Sequence, residues 1–123
     1  MQVEEVFHPG TLTCRSSDSL QEVASRMTAE QVGVLAVLED DRIVGVISER
    51  DVVRAVAQSA DPRTATADAF ASHQVHTATF GEDTREVARR MLDAGIRHLP
   101  VKQGDAVVGV ISMRDLLAVE TWL

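Results

Sequence analysis

Two short stretches carry residue types from which chemistry can be built, and they are near copies of each other. Gly45-Val46-Ile47-Ser48-Glu49-Arg50-Asp51 recurs as Gly109-Val110-Ile111-Ser112-Met113-Arg114-Asp115. In each, an apolar run of strand composition stops at a serine, and apolar residues then follow at helical spacing. The first backbone N–H groups of a helix have no partner within it, and the dipole there favours negative charge. A serine hydroxyl at such a turn and an aspartate three residues later therefore face whatever lies at the helix start. The spacing also has a purely structural meaning. Serine is a favoured N-cap and aspartate at the third helical position complements the dipole, a stabilisation of about 1 kcal/mol. Both roles can hold together, the serine capping while the aspartate faces a ligand.

Other reactive residue types form no site. His73 and His76 are three apart, but no neighbouring Cys, Asp or Glu completes a zinc pattern. Cys14 is the one cysteine, so an internal disulfide is ruled out, and a reducing cytoplasm is expected. It reads as a small buried residue without an activating histidine. There is no hydrolytic triad, glycine-rich phosphate loop or carboxylate pair with an assignable task, so catalysis is not expected.

The elements that must position the two stretches are themselves duplicated. Ser19-Leu20-Gln21-Glu22 is a capping-box pattern, and Leu20, Val23, Ala24 and Met27 share one helical face, which predicts a helix from about Leu20 to Glu30. Val34 to Leu38 and Ile43 to Ile47 read as paired strands around the turn Glu39-Asp40-Asp41-Arg42, and a helix follows Ser48 to about Ser59. Shifted by 64 positions, residues 22–51 and 86–115 are identical at 15 of 30 sites. Asp83-Thr84-Arg85-Glu86 starts the second helix. Ile96 to Val101 and Ala106 to Ile111 are its strands, and Met113 to about Thr121 is the last helix. Val3 to Phe7 forms a short helical lead-in ended by the turn His8-Pro9-Gly10. The expected organisation is a first unit over 1–60 including that lead-in, a connector over 61–71 and a second unit over 72–123.

Composition narrows the function. The chain has 123 residues, 45% of them hydrophobic, enough for a sizeable core. No run of 18 apolar residues exists, and Met1-Gln2-Val3-Glu4-Glu5 has no signal-peptide character, so neither a membrane nor export is expected. The net charge of −7 opposes nucleic acid, whose phosphates are held mainly by Lys and Arg. Tyrosine is absent, and Phe7, Phe70, Phe80 and Trp122 provide no base-stacking platform.

A duplicated unit ending in Gly-apolar-apolar-Ser-x-x-Asp resembles the CBS domain pair, also called a Bateman module. The resemblance runs from about Thr11 to Trp122, and Gly95-Ile96-Arg97-His98-Leu99-Pro100-Val101 matches it on the strand after the first helix of the second unit. The Asp61-Pro62 connector is similar to that of small stand-alone bacterial members, some of them stress-response proteins. The resemblance implies an α+β fold of two tandem β-α-β-β-α units packed sheet to sheet about a pseudo-two-fold axis. It also implies a cleft that takes an adenosine-containing ligand such as AMP, ADP, ATP or S-adenosylmethionine. Carried over, Asp51 and Asp115 hold ribose hydroxyls, with Ser48 and Ser112 beside them. Thr11, Thr13, Val75 and Thr77 lie on the segments against the adenine, and Ile47 and Ile111 line the cleft. Arg97 and His98 occupy strand positions used for phosphates, where the first unit has Gly33 and Val34; Arg50 and Arg114 are further candidates.

The expected function is a cytoplasmic regulatory module without a required cofactor, acting on a separate effector protein. The alternative is a ligand-free dimeric scaffold. A homodimer is expected in either case, because Val52, Val53, Val56, Leu116, Leu117, Val119, Trp122 and Leu123 make two helices more apolar than an intramolecular contact requires.

Overall fold

The structure is a computed structural model that describes residues 1–120. In chain order the elements are a 3-10 turn (Val3–Glu5), β1 (His8–Pro9), β2 (Thr13–Arg15), α1 (Leu20–Glu30), β3 (Val34–Glu39), β4 (Arg42–Ser48) and α2 (Glu49–Ala57). There follow α3 (Ala67–Phe70), β5 (Ala78–Thr79), α4 (Thr84–Ala94), β6 (His98–Gln103), β7 (Ala106–Ser112) and α5 (Met113–Glu120). The α+β class and the repeated β-α-β-β-α order are those expected. The predicted end of the final helix at about Thr121, and the Trp122 and Leu123 that follow it, lie outside the described residues.

Local sequence explains the helices. Ser19 accepts a hydrogen bond from the Glu22 N–H at 3.1 Å, and Leu20, Val23 and Met27 bury one face of α1. The helix stops at Gln31, which adopts a left-handed φ of 57°. Asp83 caps α4 by accepting from Arg85 N–H at 2.8 Å, and Gly95 ends it at φ 68°. The two long hairpins are built alike. Val34 pairs with Ser48 and His98 with Ser112, and each ladder carries one register shift, after Val37 and after Val101. These match under the 64-residue shift.

The chain folds into two compact units whose boundaries differ from the expected ones. One is Leu12–Val75, with sheet order β2-β3-β4; the other joins Met1–Thr11 to the chain from His76 on, with order β1-β7-β6-β5. The lead-in therefore packs with the second repeat, not the first, and the 61–71 connector belongs to the Leu12–Val75 unit. Both displacements follow one rule. Val3 N–H donates to Glu82 O, and 64 positions on Ala67 N–H donates to Asp18 O. Thr84 N–H donates to Met1 O as Leu20 N–H does to Ala65 O, and the bridges Gln2 to Asp83 and Ser19 to Thr66 correspond. Each repeat's lead-in thus docks in the unit built by the other repeat.

Of His8-Pro9-Gly10, expected as a turn, His8 and Pro9 form the edge strand β1, with His8 opposite Val110 and Pro9 opposite Gly109, and Gly10 is a bend. Its counterpart is the bridge between Val46 and Ser72, closed by two hydrogen bonds of 2.9 Å. Glycine at 45 and 109 makes both approaches possible: a Cβ would meet Ser72 O at 2.9 Å from Gly45, or His8 O at 2.2 Å from Gly109.

The core of the unit containing the C-terminal half includes Val3, Val87, Met91, Leu99, Ile111 and Leu116, all buried, with Phe7 and Phe80 meeting edge to face at 5.2 Å beside it. Full burial of such side chains stabilises by about 1.5–3 kcal/mol each. The lead-in contributes Val3 to this core, which is what fixes it in place.

Candidate functional site: two strand-to-helix junctions

The β4–α2 junction ends in a closed capping box. The Asp51 carboxylate turns back, its Oδ2 accepting from Ser48 N–H at 2.8 Å and from the Ser48 hydroxyl at 3.0 Å. Ser48 Oγ in turn accepts from Asp51 N–H at 3.3 Å. The other oxygen, Oδ1, pairs with the Arg54 guanidinium at 3.1 Å. Arg54 also donates to Phe70 O on the docked connector. Both carboxylate oxygens of Asp51 are therefore engaged, and its side chain is only 13% exposed.

The β7–α5 junction repeats the cap without the ion pair. Asp115 Oδ2 accepts from Ser112 N–H at 2.9 Å, and Ser112 Oγ accepts from Asp115 N–H at 3.1 Å. The position matching Arg54 is Ala118, so Asp115 Oδ1 has no hydrogen bond or ion pair among the described residues. An ionised carboxylate oxygen in that state keeps its accepting capacity for a hydroxyl or amine. Arg54 was missed from the sequence, although an acidic residue three positions before an arginine on a helix is a readable pair.

Two more candidates gather at this second junction. His98 pairs in register with Ser112, and Arg97 O accepts from the first N–H of α5, that of Met113, at 2.8 Å. Arg97 is exposed and precedes β6 instead of lying on it, since the strand expected from Ile96 begins at His98. The first junction has the same backbone bond, from Glu49 N–H to Gly33 O at 2.9 Å, but offers no cation there. Arg50 and Arg114 are exposed on the first turns of α2 and α5.

The remaining candidates divide. Ile47 and Ile111 are completely buried, and Ile111 sits in the core of its unit; neither offers side-chain surface to a ligand, contrary to expectation. Thr13 and Thr77 are half-buried, their carbonyls taken by Arg26 and Arg90. Arg90 also binds Glu82 at 2.7 Å, so Arg26 and Arg90 tether the short strands. Thr11 and Val75 are exposed and stand where the chain passes from one unit to the other. Cys14 is buried, and desolvation pushes its thiol up to about 12, which removes it as a nucleophile at neutral pH. Among the described residues no cluster of His, Cys, Asp and Glu could hold a metal ion, and no helix is long and apolar enough to cross a membrane.

The sequence profile of the CBS domain matches residues 3–58 and 67–120. The chain belongs to the CBS domain family. The two matched segments start 64 residues apart, which places the exchanged lead-ins inside the CBS repeat. Among curated relatives, Uncharacterized protein MK0525 of Methanopyrus kandleri is 32% identical over all of this chain and 64% of its own length. Hypoxic response protein 1 of Mycobacterium tuberculosis is 25% identical over 91% of this chain and 80% of its own. The chain spans 64% and 41% of the lengths of two archaeal relatives, MK0525 and MJ1225. Among solved structures, the CBS domain protein NE2398 superposes with a TM-score of 0.89 at 22% identity, covering 98% of both chains. The CBS domain pair of protein MJ0100, solved with 5′-methylthioadenosine and S-adenosyl-L-methionine, gives 0.88 at 23% identity, covering 99% of this chain and 97% of its own. These likenesses establish the fold of a CBS domain pair.

Proposed function

We propose that this CBS pair is a regulatory module that reversibly binds an adenosine-containing ligand and performs no catalysis. The observation that carries the reading is the unengaged Oδ1 of Asp115, beside Arg97 and the His98–Ser112 pair. A ribose presents two adjacent hydroxyls that a carboxylate accepts, and a phosphate or carboxylate on the ligand suits the Arg97 side of the same junction. Thr77 and Val75 supply the segment against the base, with Thr11 and Thr13 their counterparts. Asp51 already neutralises itself against Arg54, so the first junction is the weaker site. The complex of MJ0100 with two adenosyl compounds supports the ligand class. Signalling then requires only that the ligand favour one conformation or assembly over another.

The test is a melting-temperature titration with AMP, ADP, ATP and S-adenosylmethionine. At 100 times the dissociation constant a single site adds about 2.7 kcal/mol of stability. No shift with any of the four, at millimolar concentration, overturns the proposal.

A second reading, a ligand-free homodimeric scaffold, is favoured by exposed apolar side chains: Val53 at 67% on α2 and Leu92 at 71% on α4. Val56 and Leu117 are exposed as well, while Leu116 is buried and Trp122 and Leu123 lie outside the described residues. A concentration-dependent dimer together with no nucleotide response selects this reading. In either reading the module acts through an effector protein.

A further inference from the structure

In the unit Leu12–Val75, the connector is held against β4 by a side chain that titrates. His73 Nδ1 lies 3.0 Å from Val44 O, and Nε2 lies 3.1 Å from Asp68 O. The Asp68 carboxylate is a further 3.7 Å neighbour of Nε2. Both ring nitrogens therefore face acceptors. A neutral imidazole donates from one nitrogen only and turns a lone pair on the other towards a carbonyl oxygen; the imidazolium donates from both. In the other unit the carbonyl matching Val44 is Val108 O, and it receives the backbone N–H of Gly10 at 3.0 Å. The residue matching His73 there is Pro9, which cannot titrate. A permanent donor in one unit is thus replaced in the other by a ring nitrogen that is certain to carry a proton only in the imidazolium.

We propose that His73 is a proton-operated latch: the imidazolium ties the connector to β4 through Nδ1 while Nε2 holds the carbonyl of Asp68 on α3, and loss of one proton leaves a single N–H for the two acceptors. The latch spans Asp68 to His73 and closes next to the Val46–Ser72 bridge, where Gly45 leaves room for the Ser72 carbonyl. The charges facing it support the charged form. From α3 there is Asp68. β4 contributes the Val44 carbonyl, and on α2 Arg54 is occupied by Phe70 O and by Asp51. The two carbonyl hydrogen bonds raise the His73 pKa above its ordinary value, with Asp68 adding to the rise and partial desolvation opposing it. A raised folded-state pKa contributes stability that is complete below the ordinary imidazole value of about 6.5 and is lost as pH rises through the raised value. The latch is therefore shut in mild acid and slack in mild base. It lies two residues before Val75 but does not depend on whether a nucleotide binds.

An NMR pH titration of the four histidines in the wild-type chain tests this directly. The expected midpoint for His73 lies above about 6.5. Across that midpoint, hydrogen-exchange protection of the Ser72 amide, corrected for intrinsic exchange, should fall about fivefold, the equivalent of one net hydrogen bond. In His73→Gln the protection should already be low in acid and should not change with pH. A His73 midpoint at or below the ordinary value overturns the proposal without any variant, and so does a Ser72 response that His73→Gln retains.

Discussion

Replacing each junction aspartate by alanine should separate capping from ligand binding, because the two carboxylates cap alike but are engaged differently. Asp51→Ala removes the hydrogen bonds that Ser48 N–H and Oγ donate to Oδ2, and the 3.1 Å pair with Arg54. Asp115→Ala removes one bond from Ser112 N–H. The shared helix-start contribution is about 1 kcal/mol in each. Arg54 is half exposed, so solvent screening limits its pair to about 0.2–1 kcal/mol. Asp51→Ala should therefore cost roughly 0.5–1 kcal/mol more than Asp115→Ala, which is about 2–5 °C in melting temperature for a chain of this size. Ligand affinity should show the opposite order. Losing charge-assisted bonds worth about 1.5–3 kcal/mol weakens binding roughly 10- to 100-fold in Asp115→Ala, with a smaller effect in Asp51→Ala. Urea unfolding at neutral pH gives the first comparison. Calorimetric titration with whichever of the four adenosyl compounds shifts the wild type gives the second. Equal or reversed stability losses would refute the argument from Arg54, and undiminished affinity in Asp115→Ala would refute the site.

Three further outcomes follow from the packing. Gly109→Ala should loosen the docked lead-in, costing about 1–3 kcal/mol and exposing the Gly10 and Val110 amides to exchange, because its Cβ would meet backbone at His8. Gly45→Ala, with a 2.9 Å approach to Ser72 O, should cost less. Thr84 is fully buried and its hydroxyl has no partner among the described residues. Thr84→Val should raise the melting temperature, by up to about 1 kcal/mol in stability, since the first repeat places Leu20 at the same position. Cys14, its pKa pushed up to about 12, should resist a disulfide reagent at neutral pH in the folded chain and react at once in urea. Rapid labelling of the folded protein would contradict its burial.

Local signals explain what the sequence made legible. The predicted span of α1 agrees with the observed Leu20–Glu30 because an N-cap serine and an apolar stripe are both encoded within a few residues. The hairpins were readable as β-rich runs either side of acidic turns. The lead-in exchange was not readable. Val3 to Gly10 and Ala67 to Gln74 have no residue in common at the 64-position shift, so they register as unrelated segments. Their equivalence lies in backbone hydrogen bonds and in a buried small side chain, Val3 or Ala67, which are tertiary facts. Ile47 and Ile111 were misplaced for a related reason. A strand's last apolar residue before a functional turn can face either side, and the 2-residue period fixes the side only once the sheet's buried face is known. The capping role of both aspartates was legible and is present, whereas the freedom of one oxygen depended on a residue three positions further on.

Among the many differences between the repeats, three fall at or beside the junctions. The glycine, serine and aspartate of each junction are retained, and so are the ladder register and the cap, because these build the fold. Beside these, Gly33 corresponds to Arg97, Val34 to His98 and Arg54 to Ala118. At the first junction the carboxylate and its cation neutralise each other internally. At the second the neutralising arginine has gone from the helix, and another stands at the strand entrance instead, so negative and positive groups are held apart. A molecule with hydroxyls at one end and an anionic group at the other would meet both groups, which is the physical reason the proposal puts the ligand at Asp115 rather than at Asp51, whose oxygens are already engaged.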